Sequence, residues 1–208
     1  MDITHLNDPF PYVIIDDFYD SQALDKVWRE AEYVNNPNRM TLADKSNTYT
    51  PTGDGVQEIK AINNRAFLTA IFKEPSISDI YFLTNRTLHV DYKEIFQAHP
   101  NWFFRTFQCR QTNILISYYE DSHYYKPHHD EAYVTCLTWL YKEPKSFDGG
   151  ELSFSNYGLN IELKNNRSIL FPSQIRHEVS PVIMDKTAET ERLGRYCIST
   201  FMLPCVFM

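Results

Sequence analysis

Two residues, His128 and Asp130, open the question of chemistry in this chain. They close the stretch Tyr118-Tyr119-Glu120-Asp121-Ser122-His123-Tyr124-Tyr125-Lys126-Pro127-His128-His129-Asp130. In an extended chain, residues i and i+2 lie on one face, so His128 and Asp130 aim at one point and His129 aims away. Pro127 favours that conformation, because its ring fixes its own φ and keeps Lys126 out of the helical region. A third candidate ligand, His177, follows the apolar run Ile169-Leu170-Phe171 and the turn residues Pro172-Ser173. Two imidazoles and one carboxylate on one side of a metal leave positions open for an oxidant and a co-substrate. With no thiolate in the set, the donors favour Fe(II) or Mn(II) over a structural zinc. A His-x-Asp pair also arises by chance among the seven histidines, as ordinary strand or surface residues. The rest of the chain must decide.

The bulk properties narrow the classes. The 208 residues suffice for one domain with a real core, and 43% hydrophobic with 15% aromatic content suits a packed globular protein. A net charge of -7 and a pI near 5.5 argue against the basic footprint that nucleic-acid binding needs. The four cysteines, at 109, 136, 197 and 205, form no zinc-type spacing. Most lie in apolar runs, so free thiols in a reducing compartment are expected. The first residues carry no basic, apolar signal segment, and no run approaches the roughly 20 apolar residues of a membrane span, so the expected location is the cytoplasm.

The elements that must position these residues read as helices first and strands after. Tyr12 to Phe18 reads as an opening strand, and Asp20 or Ser21 caps a helix running to about Val34. Residues 40–58 read as a polar loop with room for a short strand, and this loop and 120–126 are candidate covers of the pocket mouth. Further helices are expected at about Asn63–Phe72 and Ser76–Phe96, with His89 and His99 as ordinary helix-surface residues. Strands are expected around Phe103–Phe107, then at 112–119, 133–141, 150–154, 159–163, 167–171 and 196–203. The polar segment Asp185–Gly194 reads as a solvated hairpin loop. This order suggests an α+β chain: a jelly-roll core over about 101–208, with an N-terminal helical part over about 1–100 packed on it, the whole of 1–208 forming a single domain.

Four stretches then fall into a recognisable order: Tyr119 with Tyr-x-Pro-His-x-Asp, Asp148-Gly149-Gly150-Glu151-Leu152, Phe171-Pro172-Ser173 leading to His177-Glu178-Val179, and Gly194-Arg195-Tyr196-Cys197-Ile198-Ser199. The series resembles the Fe(II)- and 2-oxoglutarate-dependent dioxygenases, in particular their prolyl 4-hydroxylase-like branch, over roughly residues 110–203. The resemblance implies a double-stranded β-helix, with His128, Asp130 and His177 as iron ligands. It also implies a basic residue beyond the second His that holds the far carboxylate of 2-oxoglutarate. Arg195 matches that position, with Arg192 as the alternative. Arg195, Cys197 and Ser199 alternate along one strand face, and a buried Arg calls for a bidentate anion. Tyr119 matches the family's Tyr ahead of the metal strand and is a candidate contact to the co-substrate. Trp139 stands where relatives often place a Tyr, and either donates its indole N–H or lines the wall. Asn113 and Thr135 lie on strands expected to face the pocket.

The implied reaction consumes O2 and 2-oxoglutarate, releases succinate and CO2, and hydroxylates a substrate C–H bond. No catalytic group beyond the metal ligands is implied. The first expectation for the substrate is a prolyl residue of a peptide or protein, with ascorbate as a further cofactor of that branch. Competing readings are a 2-oxoglutarate oxygenase acting on a free amino acid or other small molecule, a cupin-like metalloenzyme without 2-oxoglutarate, and a non-catalytic jelly-roll binding module.

Overall fold

The computed structural model describes residues 1–43, 48–51 and 57–204. Strands β1 (Asp2–Leu6) and β2 (Tyr12–Asp16) form an opening hairpin, followed by helix α1 (Ser21–Val34). The Asp20 carboxylate accepts from the Ala23 N–H at 2.8 Å, which satisfies one of the free donors of the first turn. Next come β3 (Thr48–Pro51), β4 (Gln57–Ile62), β5 (Asn64–Phe67), the single turn α2 (Leu68–Ile71) and helix α3 (Asp79–Val90). A π-helical turn at Lys93–Gln97 and the short α4 (Trp102–Arg105) lead into the strand-rich half. That half holds β6 (Cys109–Tyr119), β7 (Tyr124–His128), β8 (Val134–Leu140), β9 (Asp148–Gly149), β10 (Leu152–Phe154), β11 (Leu159–Ile161), β12 (Arg167–Pro172), β13 (His177–Val179) and β14 (Val182–Ile183). Helix α5 (Lys186–Thr190) and the long β15 (Arg195–Pro204) complete it.

A seven-stranded sheet runs β1-β2-β12-β8-β15-β6-β5, and a six-stranded sheet runs β11-β10-β13-β7-β4-β3. Side-chain alternation along the strands sorts the molecule into two cores. On β8, β12 and β15, residues Cys136, Leu140, Leu170, Tyr196 and Ile198 face the layer that carries Val27 and Ala31 of α1 and Ile80 and Leu83 of α3. Their neighbours Leu137, Trp139, Ile169, Phe171 and Cys197 face the opposite way, against Leu152, Phe154, Ile161 and Val179 of the smaller sheet. This is the α+β architecture with a jelly-roll core and helices packed on one sheet. No helix among the described residues is long and apolar enough to cross a membrane.

Several sequence expectations change. Asn64–Phe67 is strand rather than helix, because it pairs with Leu115–Tyr118 at the edge of the large sheet. Ser76–Phe96 is three pieces: a 3-10 turn ending at Ile77, then α3, then the π-helical turn. The aromatic run before β6 is a helical turn, because the Asn101 side chain caps it by accepting from the Phe103 N–H. Asp185 likewise accepts from the Ala188 N–H and winds the expected hairpin loop into α5. His99 is not a surface residue: it is 1% exposed and its Nε2 faces the carbonyls of Leu6 and Tyr12. Of the segment 40–58, residues 44–47 and 52–56 lie outside the described residues, and the remainder contains β3 and β4. Cys109, Cys136 and Cys197 are free thiols, and Cys205 lies outside the described residues.

Candidate metal centre and anion pocket

Strand β7 and strand β13 are antiparallel neighbours, and their register sets His128 directly opposite His177. The strand ends at His128, so Asp130 sits just past it, held by its backbone N–H to the Ser173 carbonyl at 3.0 Å. The three side chains still converge. His128 Nε2 lies 3.6 Å from Asp130 Oδ1, and His177 Nε2 lies 3.5 Å from Asp130 Oδ2. One donor atom of each falls within 4.8 Å of the others. His129 is exposed and turned away.

The surroundings prepare these groups to bind a cation. His128 Nδ1 donates to the Lys126 carbonyl and His177 Nδ1 to the Ile175 carbonyl, both at 2.9 Å. With Nδ1 protonated, each Nε2 presents its lone pair to the shared centre. Burial and the neighbouring His177 push the His128 pKa down to about 2, and burial lowers that of His177, so both rings are neutral donors at neutral pH. Thr135 Oγ1 donates to Asp130 Oδ2 at 2.7 Å, and its oxygen lies 2.8 Å from the Ser173 hydroxyl. Phe171 and Phe154 border His177 at ring distances of 4.8 and 6.1 Å and keep that side apolar. Two neutral imidazoles, one carboxylate and no thiolate fit a hard-to-borderline divalent ion with open positions.

Arg195 opens β15 opposite Tyr119 of β6 and is wholly buried. All three guanidinium nitrogens lack a hydrogen-bond partner. Its charge lies 4.9 Å from the Tyr119 ring centre and 5.8 Å from that of Trp139. The Trp139 indole N–H is also buried, with no nitrogen or oxygen acceptor and only the Cys197 sulfur near it. A cation and a neutral donor left unpaired in a protein interior cost free energy unless an acceptor arrives, which makes this cluster a candidate anion site. Tyr119 OH accepts from Asn63 Nδ2 at 3.0 Å, which leaves its own proton free to donate. Gly150 makes room beside the Arg195 stem: at φ +72°, a Cβ there would lie 3.2 Å from Arg195 Cδ and 3.1 Å from Val182 Cγ2. Arg192, by contrast, reaches the carbonyl of Asn35 at the end of α1, at 2.7 Å.

The expected site residues thus separate into two sets. His128, Asp130 and His177 come together, and Arg195, Tyr119 and Trp139 form a second cluster on the large sheet. Thr135 belongs to the first set, whereas Asn113 lies half-buried and meets only Thr69, at 3.5 Å. Sequence reasoning gave Asn63 and Ser173 no role, and it offered Tyr125 as a substrate-stacking or core aromatic without placing it against a metal ligand. The Tyr125 ring stacks on His128 at 3.6 Å and 10°. A bulge in the β7–β13 pairing puts residues three apart on one face, which strict alternation hides. A cavity of about 860 Å³ lies between α3 and the start of β6 and is lined by none of these residues.

A jelly roll with an open two-His, one-carboxylate centre beside a buried cation defines a non-haem oxygenase class. Comparison with known proteins specifies it. Residues 114–203 match the family model of the 2OG-Fe(II) oxygenase superfamily. The strand-rich half of the chain is thus similar to that superfamily, and it resembles the prolyl 4-hydroxylase-like branch. An uncharacterized PKHD-type hydroxylase of Synechocystis sp. is 29% identical over 99 residues, a span covering 38% of this chain and 33% of that protein. A prolyl-4-hydroxylase of Pseudomonas putida shares the fold at TM-score 0.61 and 14% identity, over 94% of this chain and 93% of that one. A 2OG-Fe(II) oxygenase family oxidoreductase of Burkholderia pseudomallei shares it at TM-score 0.55 and 14% identity, over 92% and 84%.

Proposed function

We propose that this protein is a hydroxylase that holds Fe(II) with His128, Asp130 and His177 and anchors 2-oxoglutarate with Arg195. The observation that carries the reading is the Arg195 guanidinium, buried with no acceptor on any nitrogen, in the same barrel as the converging triad. Arg195 takes the far carboxylate of the co-substrate in a bidentate pair, and the Trp139 N–H and Tyr119 O–H are the neighbouring donors. Thr135 and the two carbonyls that accept from Nδ1 hold the ligands in place. Phe154 and Phe171 exclude water from the His177 side. When bound, iron would let O2 act as the oxidant and 2-oxoglutarate as the reductant, one oxygen atom ending in succinate with loss of CO2 and the other in the hydroxyl placed on a substrate C–H bond.

A prolyl residue of a peptide or protein is the substrate this reading favours, on the likeness to prolyl 4-hydroxylase-like proteins. The reading takes residues 1–208 as one catalytic domain, with no nucleic-acid partner, given the charge of -7. Three free thiols and a ferrous metal suit a reducing, cytoplasmic setting, with ascorbate as the supporting reductant.

Anaerobic titration with Fe(II) and then 2-oxoglutarate tests the assignment. A weak visible band that needs both additions and is lost in His177→Ala is the expected result. No band with saturating additions to wild-type protein would sink the reading. Proline-containing peptides should then stimulate succinate release, and failure of every such peptide would turn the search to free amino acids.

A further inference from the structure

Lys60 is a half-buried cation at this centre that neither the metal nor the co-substrate uses. It lies on β4, next in the small sheet to β7, which carries His128. Its ammonium stands 5.7 Å from the ring centre of Tyr125, and that ring is the one stacked on His128. The charges of Asp130, Glu131 and Arg65 all reach Lys60. Among the described residues Lys60 has no ion-pair partner. Asp130, the nearest candidate counter-charge, is committed to the triad and to Thr135.

Charge balance makes the vacancy specific, and here the inference rests on the ligand and anchor assignments above. The two charges of a divalent ion and the one of Arg195 are matched by the Asp130 carboxylate and the two carboxylates of 2-oxoglutarate. Lys60 lies outside that balance, in partly desolvated surroundings: of the other charges that reach it, Glu131 is exposed and Arg65 is a further cation. A cation so placed attracts an anion. Lys60 sits on the small sheet and keeps some solvent exposure, while Arg195 is wholly buried in the large one. The anion must therefore be one that arrives with the substrate.

We propose that Lys60 is a specificity-determining residue that pairs with a carboxylate of the substrate close to the bond that reacts. An acidic side chain and a free C-terminal carboxylate offer the same chemistry, and the two can be told apart.

The test is binding of short proline peptides to the full chain loaded with Mn(II), a redox-inert stand-in for Fe(II), and 2-oxoglutarate. One peptide is uncharged with both ends capped. A second has a free C-terminal carboxylate, a third is capped with Glu beside the Pro, and a fourth is capped with Lys there. Wild-type protein should bind the second or the third at least about fivefold more tightly than the first, the scale of a partly screened ion pair. Whichever wins identifies the source of the carboxylate. Lys60→Gln should erase the preference, and Lys60→Glu should turn it toward the fourth peptide, at unchanged melting temperature. Equal binding of all four by wild-type protein, no binding of any, or a preference that survives in Lys60→Gln overturns the proposal. Failure of wild-type protein to take up Mn(II) at all is a different result, which removes the metal assignment itself.

Discussion

At the scale of the residue, the centre depends on groups that hold the proposed ligands without being ligands themselves. Thr135 is one: its hydroxyl holds one oxygen of Asp130 and leaves the other available to the proposed metal. Thr135→Val keeps the shape and removes that bond. Metal affinity should fall by about 10- to 100-fold, read by Mn(II) titration, with the circular dichroism unchanged. Arg195 allows a sharper contrast. Its charge is buried without a partner, so removing it relieves a cost in the ligand-free protein. Arg195→Met should melt no lower than wild type when 2-oxoglutarate is absent. It should also lose the stabilisation the co-substrate confers, about 2.7 kcal/mol at a concentration 100 times Kd. A melting temperature that falls without ligand would show that Arg195 serves the fold.

At the scale of the element, the pocket exists because strands and turns approach closely. Gly150 lies between β9 and β10 with φ +72°, where an L side chain is strained, and a Cβ would press on Val182 and on the Arg195 stem. Gly150→Ala should cost about 1–3 kcal/mol in chemical denaturation. It should also weaken 2-oxoglutarate binding more than Mn(II) binding, because it disturbs the anchor and not the triad. The metal ligands depend on a different device. The β7–β13 pairing brings His128 and His177 face to face, and its bulge rotates Tyr125 onto the His128 ring.

At the scale of the whole molecule, Asp16 ties the opening hairpin to the barrel by ion pairs with Arg167 and, at 3.4 Å, with the more exposed Lys164. Arg167 at the start of β12 grips Asp16 at the end of β2 through two bonds, of 2.7 and 2.9 Å. The hydrogen bond from Arg167 holds the Asp16 carboxyl below its ordinary value. A carboxyl with a depressed folded-state pKa adds stability above its unfolded value, and that stability is lost as pH falls through the folded value. Acid unfolding should therefore begin below about pH 4 for this pair. Arg167→Gln should lower stability at neutral pH by about 1.5–3 kcal/mol and flatten the acid limb of a stability–pH profile.

How much of this was legible beforehand follows from the range of each interaction. The capped helix α1, the strands of the second half and the jelly-roll class are written in local patterns: an Asp cap, apolar alternation and turn residues at fixed offsets. The residues proposed as ligands and anchor stand in short motifs, and the alternation of Arg195, Cys197 and Ser199 holds in the folded strand. The errors fell where neighbours distant in sequence decide. Asn64–Phe67 has helical composition, but an open edge of β6 makes it strand. His99 looks like a surface residue until the carbonyls of Leu6 and Tyr12 close over it. Between Arg192 and Arg195 sequence could only lean on strand context; folding sends Arg192 to the end of α1 and leaves Arg195 buried without an acceptor. The sequence by itself determined which side chains could bind a metal or a carboxylate, because that is a property of residue type. Only the tertiary structure decided which cations would be left unpaired, because desolvation and partnering arise when distant strands meet.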